Sequence, residues 1–236
     1  MSLPQLPLAI TLQDGVSFEN YFSGLNLEAA QAVESCLQIK SERFIYLWGG
    51  SSVGKTHLLQ SACRVVSEQD NPCAYLTLKQ ANELSPEIFD GLEALSLVCI
   101  DDVHAIAGQK QWEIALFHLY NRARANNTLL IVSGDESPGH LLLALPDLSS
   151  RLAWGLIFQL HPLSDTDKFS ALQLRARRRG FNMPDEVGRF LLSRYPRDTA
   201  GLFSILDRLD HASLAAKRRM TIPFVKMVLD QEKKEI

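Results

Sequence analysis

The chain has 236 residues, of which 46% are hydrophobic and 22% are charged, with a formal net charge of −3. These fractions are typical of a folded globular protein and exclude the collagen-like, low-complexity and wholly disordered classes. The small negative charge argues against a protein that binds nucleic acid through bulk positive charge.

Predicted helices and strands alternate over the first two-thirds of the chain. Residues 1–12 contain two prolines and no helical period, so we expect an extended tail there. A helix over 27–39 is followed by further helices at 56–67 and 112–125, and predicted strands occupy 43–48, 73–78, 95–100, 128–133 and 155–160. The strands are nearly continuous in apolar residues, which is typical of a parallel sheet covered on both faces.

Strand signals stop after Pro162. Ser164 to Asp167 form a pattern typical of a helix-capping box, which predicts a helix ending near Gly180. Further helices are predicted at 184–194, 198–219 and 222–232. We therefore expect an α/β domain over 13–162, followed by a small all-helical domain over 163–236.

Two features bear on the compartment. No apolar run approaches the roughly 20 residues of a membrane-spanning helix, and the amino terminus lacks the pattern of a secretory signal. The four cysteines are scattered without a CxxC pair. This usage favours reduced thiols in the cytoplasm over disulfides or a zinc site.

The strongest motif is GGSSVGKT at residues 49–56, which fits the P-loop pattern between a predicted strand and a predicted helix. Its backbone N–H groups and the helix dipole suit a phosphate. Lys55 is predicted to bridge the β and γ phosphates, and the Thr56 hydroxyl to ligate Mg²⁺. The motif therefore predicts nucleotide binding by Gly49, Gly50, Ser51, Ser52, Val53, Gly54, Lys55 and Thr56.

Carboxylates follow two of the predicted strands. Asp101 is the candidate for the Mg²⁺ side of the site, through water. Asp102 is the candidate for polarising an attacking water. Many ATPases of this layout carry the longer Glu there, so we expect weak intrinsic hydrolysis. Asp135 and Ser133 are candidate γ-phosphate sensors, and a Ser-Gly-Asp turn without a ligand is the alternative.

Arginines at three further positions are candidate contacts with phosphates or with a partner. Arg151 precedes the fifth strand and suits contact with a partner's triphosphate. Arg197 opens a helix of the small domain, where it suits folding over phosphates. From the residues alone, Arg151 is better explained as an ordinary surface arginine, and for Arg197 the two explanations are even. The cluster at 175–179 lies at a predicted helix carboxyl end, where cations suit the dipole, and a partner contact is the alternative.

Taken in order, these segments resemble the AAA+ superfamily and, within it, the DnaA family. Residues 44–59 resemble its P-loop segment, 97–103 resemble its Walker B segment, and 149–156 are similar to the box that holds its arginine finger. The resemblance implies an AAA+ P-loop domain with a five-stranded parallel sheet flanked by helices, followed by a small all-helical lid. It adds His57 and Arg197 to the nucleotide-binding residues and makes Arg151 a finger that acts in trans.

The resemblance is closer to the Hda-type regulators than to the initiators. The chain ends where initiators continue into a DNA-binding domain, and the stretch from Cys73 to Asp101 is short for their extra helical insert. We therefore expect no sequence-specific DNA binding. Regulators of this type carry an amino-terminal Gln-Leu-x-Leu-x-Leu peptide that docks on the sliding clamp. The tail departs from this pattern at its last position, Ile for Leu, and at the fifth, where Ala9 stands in place of the usual Pro. The candidate clamp-binding residues are Gln5, Leu6, Leu8 and Ile10.

The resemblance implies a cytoplasmic negative regulator of replication initiation that binds ADP (or ATP) and Mg²⁺. Its tail would dock on the DNA-loaded clamp, the β subunit of DNA polymerase III, and Arg151 would promote hydrolysis of ATP bound to DnaA. A homo-oligomer with head-to-tail subunits stays open. A helicase-loader-type ATPase with strong intrinsic hydrolysis is the main alternative, and a P-loop kinase of a small metabolite is another.

Overall fold

The structure, a computed structural model, describes residues 16–38, 42–195, 198–216 and 218–231. The chain divides after His161 into two compact units. The first unit contains α1 (Leu27–Gln38), β1 (Phe44–Trp48), α2 (Lys55–Glu68), β2 (Cys73–Thr77), β3 (Leu97–Asp101), α3 (Lys110–Ala125), β4 (Leu129–Gly134), α4 (Pro146–Leu152) and β5 (Leu156–Gln159). The predicted tail at 1–12 lies outside the described residues.

The five strands form one sheet in the order β2-β3-β4-β1-β5, and every neighbouring pair is parallel. Side chains of β1 alternate between two hydrophobic clusters: Phe44 and Tyr46 join one, and Ile45 and Leu47 join the other. The other strands, the helices and a few loop residues supply the rest of both clusters, so the sheet is buried on both faces. The prediction of a five-stranded parallel sheet flanked by helices is confirmed.

Because the strands are parallel, their carboxyl ends meet at one edge of the sheet. The segment after β1, the end of β3 at Asp101 and the end of β4 at Gly134 all lie at this edge. Phe44 and Leu129 begin their strands at the opposite edge. The predicted phosphate and Mg²⁺ residues lie at the carboxyl edge of the sheet. Arg151 precedes the amino end of β5, at the opposite edge.

The second unit is all helical, as predicted, with α5 (Asp165–Arg178), α6 (Asp185–Arg194), α7 (Thr199–Ala216) and α8 (Ile222–Gln231). Ser164 caps α5, because the Asp167 amide donates to its hydroxyl oxygen at 3.1 Å. Two members of the arginine cluster connect α5 to α7. Arg175 binds Asp207 at 3.0 Å, and Arg179 lies 3.0 Å from Asp207 and 3.4 Å from Asp210. These two arginines therefore support the packing of the small domain.

Most element bounds agree with the predictions to within two residues, but helix α4 and the end of α7 do not. The helix α4 was absent from the predicted elements, although Pro146 in its first turn and Leu148 and Leu152 at helical spacing are helix signals. Helix α7 ends at Ala216 instead of residue 219, because the Arg218 amide donates to the Ser213 carbonyl at 3.2 Å, a wider turn than an α-helix makes. No helix in the described part of the chain is long and apolar enough to cross a membrane.

Candidate nucleotide-binding site

The loop between β1 and α2 needs glycine at two positions. Gly49 has φ +147°, and a Cβ there would collide with the Leu160 carbonyl oxygen. Gly54 has φ +101°, and a Cβ there would lie 2.7 Å from the Tyr21 ring. Side chains are excluded at both places, so the loop passes closely over the sheet edge before α2 begins.

The other predicted loop residues take different positions. Val53 is buried in the core beside α2, whereas Gly50 and Ser51 are exposed and Ser52 has a left-handed backbone with φ +59°. A non-glycine residue in this region is strained, and such strain is common where a loop is shaped for a ligand. The exposed crest and the buried base give the loop the form of a phosphate cradle.

Lys55 lies at the start of α2 and is only 8% exposed. Its Nζ donates to the Gly49 carbonyl and to the Gly50 carbonyl, the latter at 2.8 Å. Burial lowers the pKa of the Lys55 ammonium, and the carboxylates of Asp102 and Asp101 partly oppose that shift. The cation is thus held against the cradle and close to both carboxylates.

Asp101 receives hydrogen bonds from three other elements. Its Oδ2 accepts from Thr56 Oγ1 at 2.6 Å and from the Tyr75 hydroxyl at 2.7 Å, and its Oδ1 accepts from Ser133 Oγ. Burial raises the pKa of the Tyr75 phenol and the charge of Asp101 raises it further, so Tyr75 remains a donor. This buried carboxylate fixes α2, β2 and β4 relative to the end of β3.

Thr56 and Asp101 fit the requirements of Mg²⁺ bound with a nucleotide. This ion keeps several waters and usually takes one or two carboxylates together with phosphate oxygens. A hydroxyl and a carboxylate lie side by side next to the cradle, 2.6 Å apart. Among the described residues, no group of three or more His, Cys, Asp or Glu side chains would hold a metal alone. Thr56 and Asp101 would therefore hold the ion only together with the nucleotide, where it would offset phosphate charge.

Asp102 takes a left-handed backbone with φ +62°, and the chain turns there into a short 3-10 helix. Its amide donates to Ser133 Oγ at 3.1 Å, and its Oδ2 lies 3.2 Å from Lys79 Nζ. Its carboxylate, the predicted water-polarising group, is therefore paired with a cation. Sequence reasoning missed Lys79, which follows β2 without any motif.

The candidate sensors occupy different positions at the same sheet edge. Ser133 is fully buried. Its hydroxyl donates to the Asp101 carboxylate and accepts from the Asp102 amide. Asp135 is partly exposed, and its Oδ1 lies 3.5 Å from His104 Nδ1. Asp135 is also close enough to Lys55 for its charge to affect that pKa. Of the two candidate sensors, only Asp135 has an exposed side chain, and it lies near Lys55.

His57 contacts the segment that precedes α1. Its ring lies 5.3 Å from the Tyr21 ring, and its Nε2 lies 2.9 Å from the Ser17 carbonyl oxygen. Tyr21 in turn packs against Gly54, and burial raises the pKa of its phenol to about 12. Through these contacts, His57 holds the segment of Ser17 and Tyr21 against the P-loop at Gly54. Arg197 and the candidate clamp residues lie outside the described part of the chain.

Arg151 lies at the opposite end of the sheet from the P-loop. It is in the last turn of α4, and the chain then passes through Trp154 and Gly155 to the amino end of β5. The P-loop follows the carboxyl end of β1, and a strand of five residues spans roughly 16 Å. An arginine side chain does not bridge that distance. Arg151 is therefore separated from the nucleotide site of its own chain.

The start of α4 is held by Glu113 of α3, a carboxylate with no solvent exposure. It accepts hydrogen bonds from the amides of Gly108 at 2.7 Å, Ala144 at 3.0 Å and Leu145 at 2.7 Å. Sequence reasoning did not find this residue, because nothing in the sequence around position 113 shows that its carboxylate would meet the turn at 144–145.

Two family models match the chain. Residues 12–159 match the bacterial DnaA ATPase domain, and residues 165–229 match the lid domain of Hda. The fold defines an AAA+ protein with a P-loop domain and a helical lid. The chain belongs to the bacterial DnaA ATPase domain family, within the Hda-type branch of DnaA-related AAA+ regulators that its lid domain defines. The resemblance stated from the sequence is confirmed.

Solved structures share this fold. Domain III of Thermotoga maritima DnaA has a TM-score of 0.76 at 22% identity, covering 92% of this chain and 96% of that one. AMPPCP-bound DnaA from Aquifex aeolicus has a TM-score of 0.70 at 21% identity, covering 84% and 65%. The Thermotoga maritima RuvB branch migration motor has a TM-score of 0.60 at 17% identity, covering 91% and 73%. At these identities the likeness concerns the fold alone.

Proposed function

We propose that this replication regulator is an ADP-binding, Mg²⁺-dependent negative regulator that stimulates hydrolysis of ATP bound to DnaA. The nucleotide occupies the cradle at 49–56, and Thr56 and Asp101 face the metal. Asp135 serves as a sensor, and Arg197 is a further nucleotide-binding residue. The P-loop geometry and the AMPPCP held by the DnaA structure from Aquifex aeolicus support adenine nucleotide as the ligand.

The position of Arg151 carries the proposal. A guanidinium at the far end of the sheet serves a nucleotide only when that nucleotide belongs to another chain. Such a group, supplied in trans, stabilises charge in the transition state of phosphoryl transfer and is worth about 10³–10⁵ in rate in other NTPases. The partner that fits is a DnaA-type protein with bound ATP.

The pairing of Asp102 with Lys79 supports a weak ATPase in the chain itself. The carboxylate that would polarise water is only 5% exposed and lies 3.2 Å from a cation. A carboxylate held against a cation is less free to orient toward an attacking water. This arrangement favours a regulator over a helicase-loader-type ATPase, which requires turnover in its own site.

The tail brings the regulator to DNA. Gln5, Leu6, Leu8 and Ile10 dock on the DNA-loaded sliding clamp as an extended peptide, which places Arg151 near DnaA. The experiment is hydrolysis of ATP bound to DnaA, with and without loaded clamp, using the wild type and Gln5→Ala. We expect stimulation only with clamp and intact Gln5. Equal stimulation without clamp contradicts the docking role, and strong ATP turnover on single-stranded DNA without DnaA favours the helicase-loader alternative.

A further inference from the structure

The Arg151 guanidinium lies over an aromatic ring. Its central carbon lies 4.9 Å from the centroid of the Trp154 ring, and the corresponding carbon of Arg124 lies 4.8 Å from the same centroid. Both distances are within the range of a cation–π contact. We call Arg151, Arg124 and Trp154 the indole cluster.

Trp154 is 48% exposed, which is unusual for an indole that serves only the core. It also forms part of the wall of a cavity of about 230 Å³, together with Arg43, Tyr120 and Arg124. One side of the ring therefore borders open space. Core packing does not account for an indole in this position, whereas its contacts with two guanidinium groups do.

The backbone on both sides of the ring is fixed. Leu152 is fully buried, which anchors the end of α4. Gly155 has φ +88°, and a Cβ there would lie 2.6 Å from the Phe44 carbonyl oxygen, so the chain after the ring is pressed against the start of β1. With Glu113 holding the start of α4, the segment that carries Arg151 and Trp154 is anchored at both ends.

We propose that Trp154 is a positioning residue that holds the Arg151 guanidinium ready for the phosphates of a nucleotide bound to a partner chain. This inference rests on the trans role of Arg151 proposed above. Stacking uses the flat face of a guanidinium and leaves its N–H edges free for phosphate oxygens. A long side chain loses rotamer freedom when it meets its ligand, and a stack formed beforehand reduces that loss.

The test is single-turnover hydrolysis of ATP bound to DnaA, measured over a concentration series of the regulator with ADP and DNA-loaded clamp. Each series gives a maximal rate and a half-saturating concentration. The variants are Trp154→Leu, Trp154→Phe and Arg151→Ala. Arg124→Ala is the matched control, since it removes the other guanidinium from the same ring.

We expect Trp154→Leu to lower the maximal rate about two- to fivefold, the factor that corresponds to an exposed cation–π contact. The half-saturating concentration should stay within about twofold, because the ring positions the finger and does not dock the partner. Trp154→Phe should recover most of the rate, since it retains an aromatic face. Arg124→Ala should leave the maximal rate within about twofold of the wild type.

The outcomes separate this inference from the function on which it rests. If Arg151→Ala loses stimulation while Trp154→Leu matches the wild type, the positioning role is wrong and the trans finger stands. Equal losses for Trp154→Leu and Trp154→Phe, or a change confined to the half-saturating concentration, also overturn it. If Arg151→Ala stimulates normally, the proposed function itself fails.

Fluorescence tests the stack without DnaA. The difference between the emission of the wild type and of Trp154→Phe reports on Trp154, and we expect it to change when Arg151→Ala is introduced into both proteins. An unchanged difference spectrum overturns the stack, and this result decides the matter should Trp154→Leu not fold. ADP binding by each variant shows whether the P-loop unit is intact.

Discussion

Substitution of Glu113 tests how the start of α4 is held. This carboxylate is fully buried and accepts three backbone N–H groups, from Gly108, Ala144 and Leu145. Glu113→Gln keeps the size of the side chain but removes the charge. It also replaces one acceptor oxygen with an NH₂ group, which faces a backbone N–H that it cannot satisfy.

The magnitude follows from the three bonds. Hydrogen bonds to a charged group contribute about 1.5–3 kcal/mol and neutral ones about 0.5–1.5 kcal/mol, and a buried polar group left unpaired costs about 1–3 kcal/mol. Two weakened bonds and one lost bond, partly offset by the easier burial of a neutral amide, give about 2–4 kcal/mol of lost stability for Glu113→Gln. Glu113→Leu removes every acceptor and should cost more.

Urea unfolding measures the total effect, and hydrogen exchange of the Ala144 and Leu145 amides measures the local one. The matched control is Glu34→Gln, an exposed position in α1 where we expect a change below about 0.5 kcal/mol. A Glu113→Gln protein as stable as that control, with unchanged protection of the two amides, would refute the reasoning.

Two further substitutions address the nucleotide site. Lys79→Ala releases Asp102 from its ion pair and should raise intrinsic ATP turnover by up to about fivefold, since such partly exposed pairs are worth at most about 1 kcal/mol. Lys110→Ala, which removes a charge from the start of α3, is its control, and equal turnover in both variants contradicts the pairing role. Tyr75→Phe removes a donor from Asp101 and should raise the Mg²⁺ concentration needed for tight ADP binding about 10–100-fold, as substitutions beside metal ligands do. A fluorescent ADP analogue titrated with Mg²⁺ measures this, with binding in EDTA as the control, and an unchanged Mg²⁺ requirement contradicts it.

The features that depend on neighbouring residues in the chain were predictable. The P-loop is fixed by the spacing of Gly49, Gly54 and Lys55 between a strand and a helix, and the sheet follows from apolar runs of strand length. The helical domain after Pro162 was predictable for the same reason, since Ser164 caps its first helix as the local pattern indicates.

The contacts that depend on strand order were not predictable. Tyr75 reaches Asp101 because β2 lies beside β3 in a register that pairs Tyr75 with Cys99, and Ser133 reaches Asp101 because β4 lies on the other side. No local pattern contains this order. The same holds for Lys79 beside Asp102. The helix α4 was missed because seven residues are too few for a clear helical period.

The measurement that tests the central claim most directly is hydrolysis of ATP bound to DnaA by the wild type and by Arg151→Ala, each with ADP and DNA-loaded clamp. We predict that the wild type accelerates hydrolysis and that Arg151→Ala reduces the stimulated rate by a factor on the order of 10³ or more, while ADP binding persists. Acceleration by Arg151→Ala equal to that of the wild type would contradict the account.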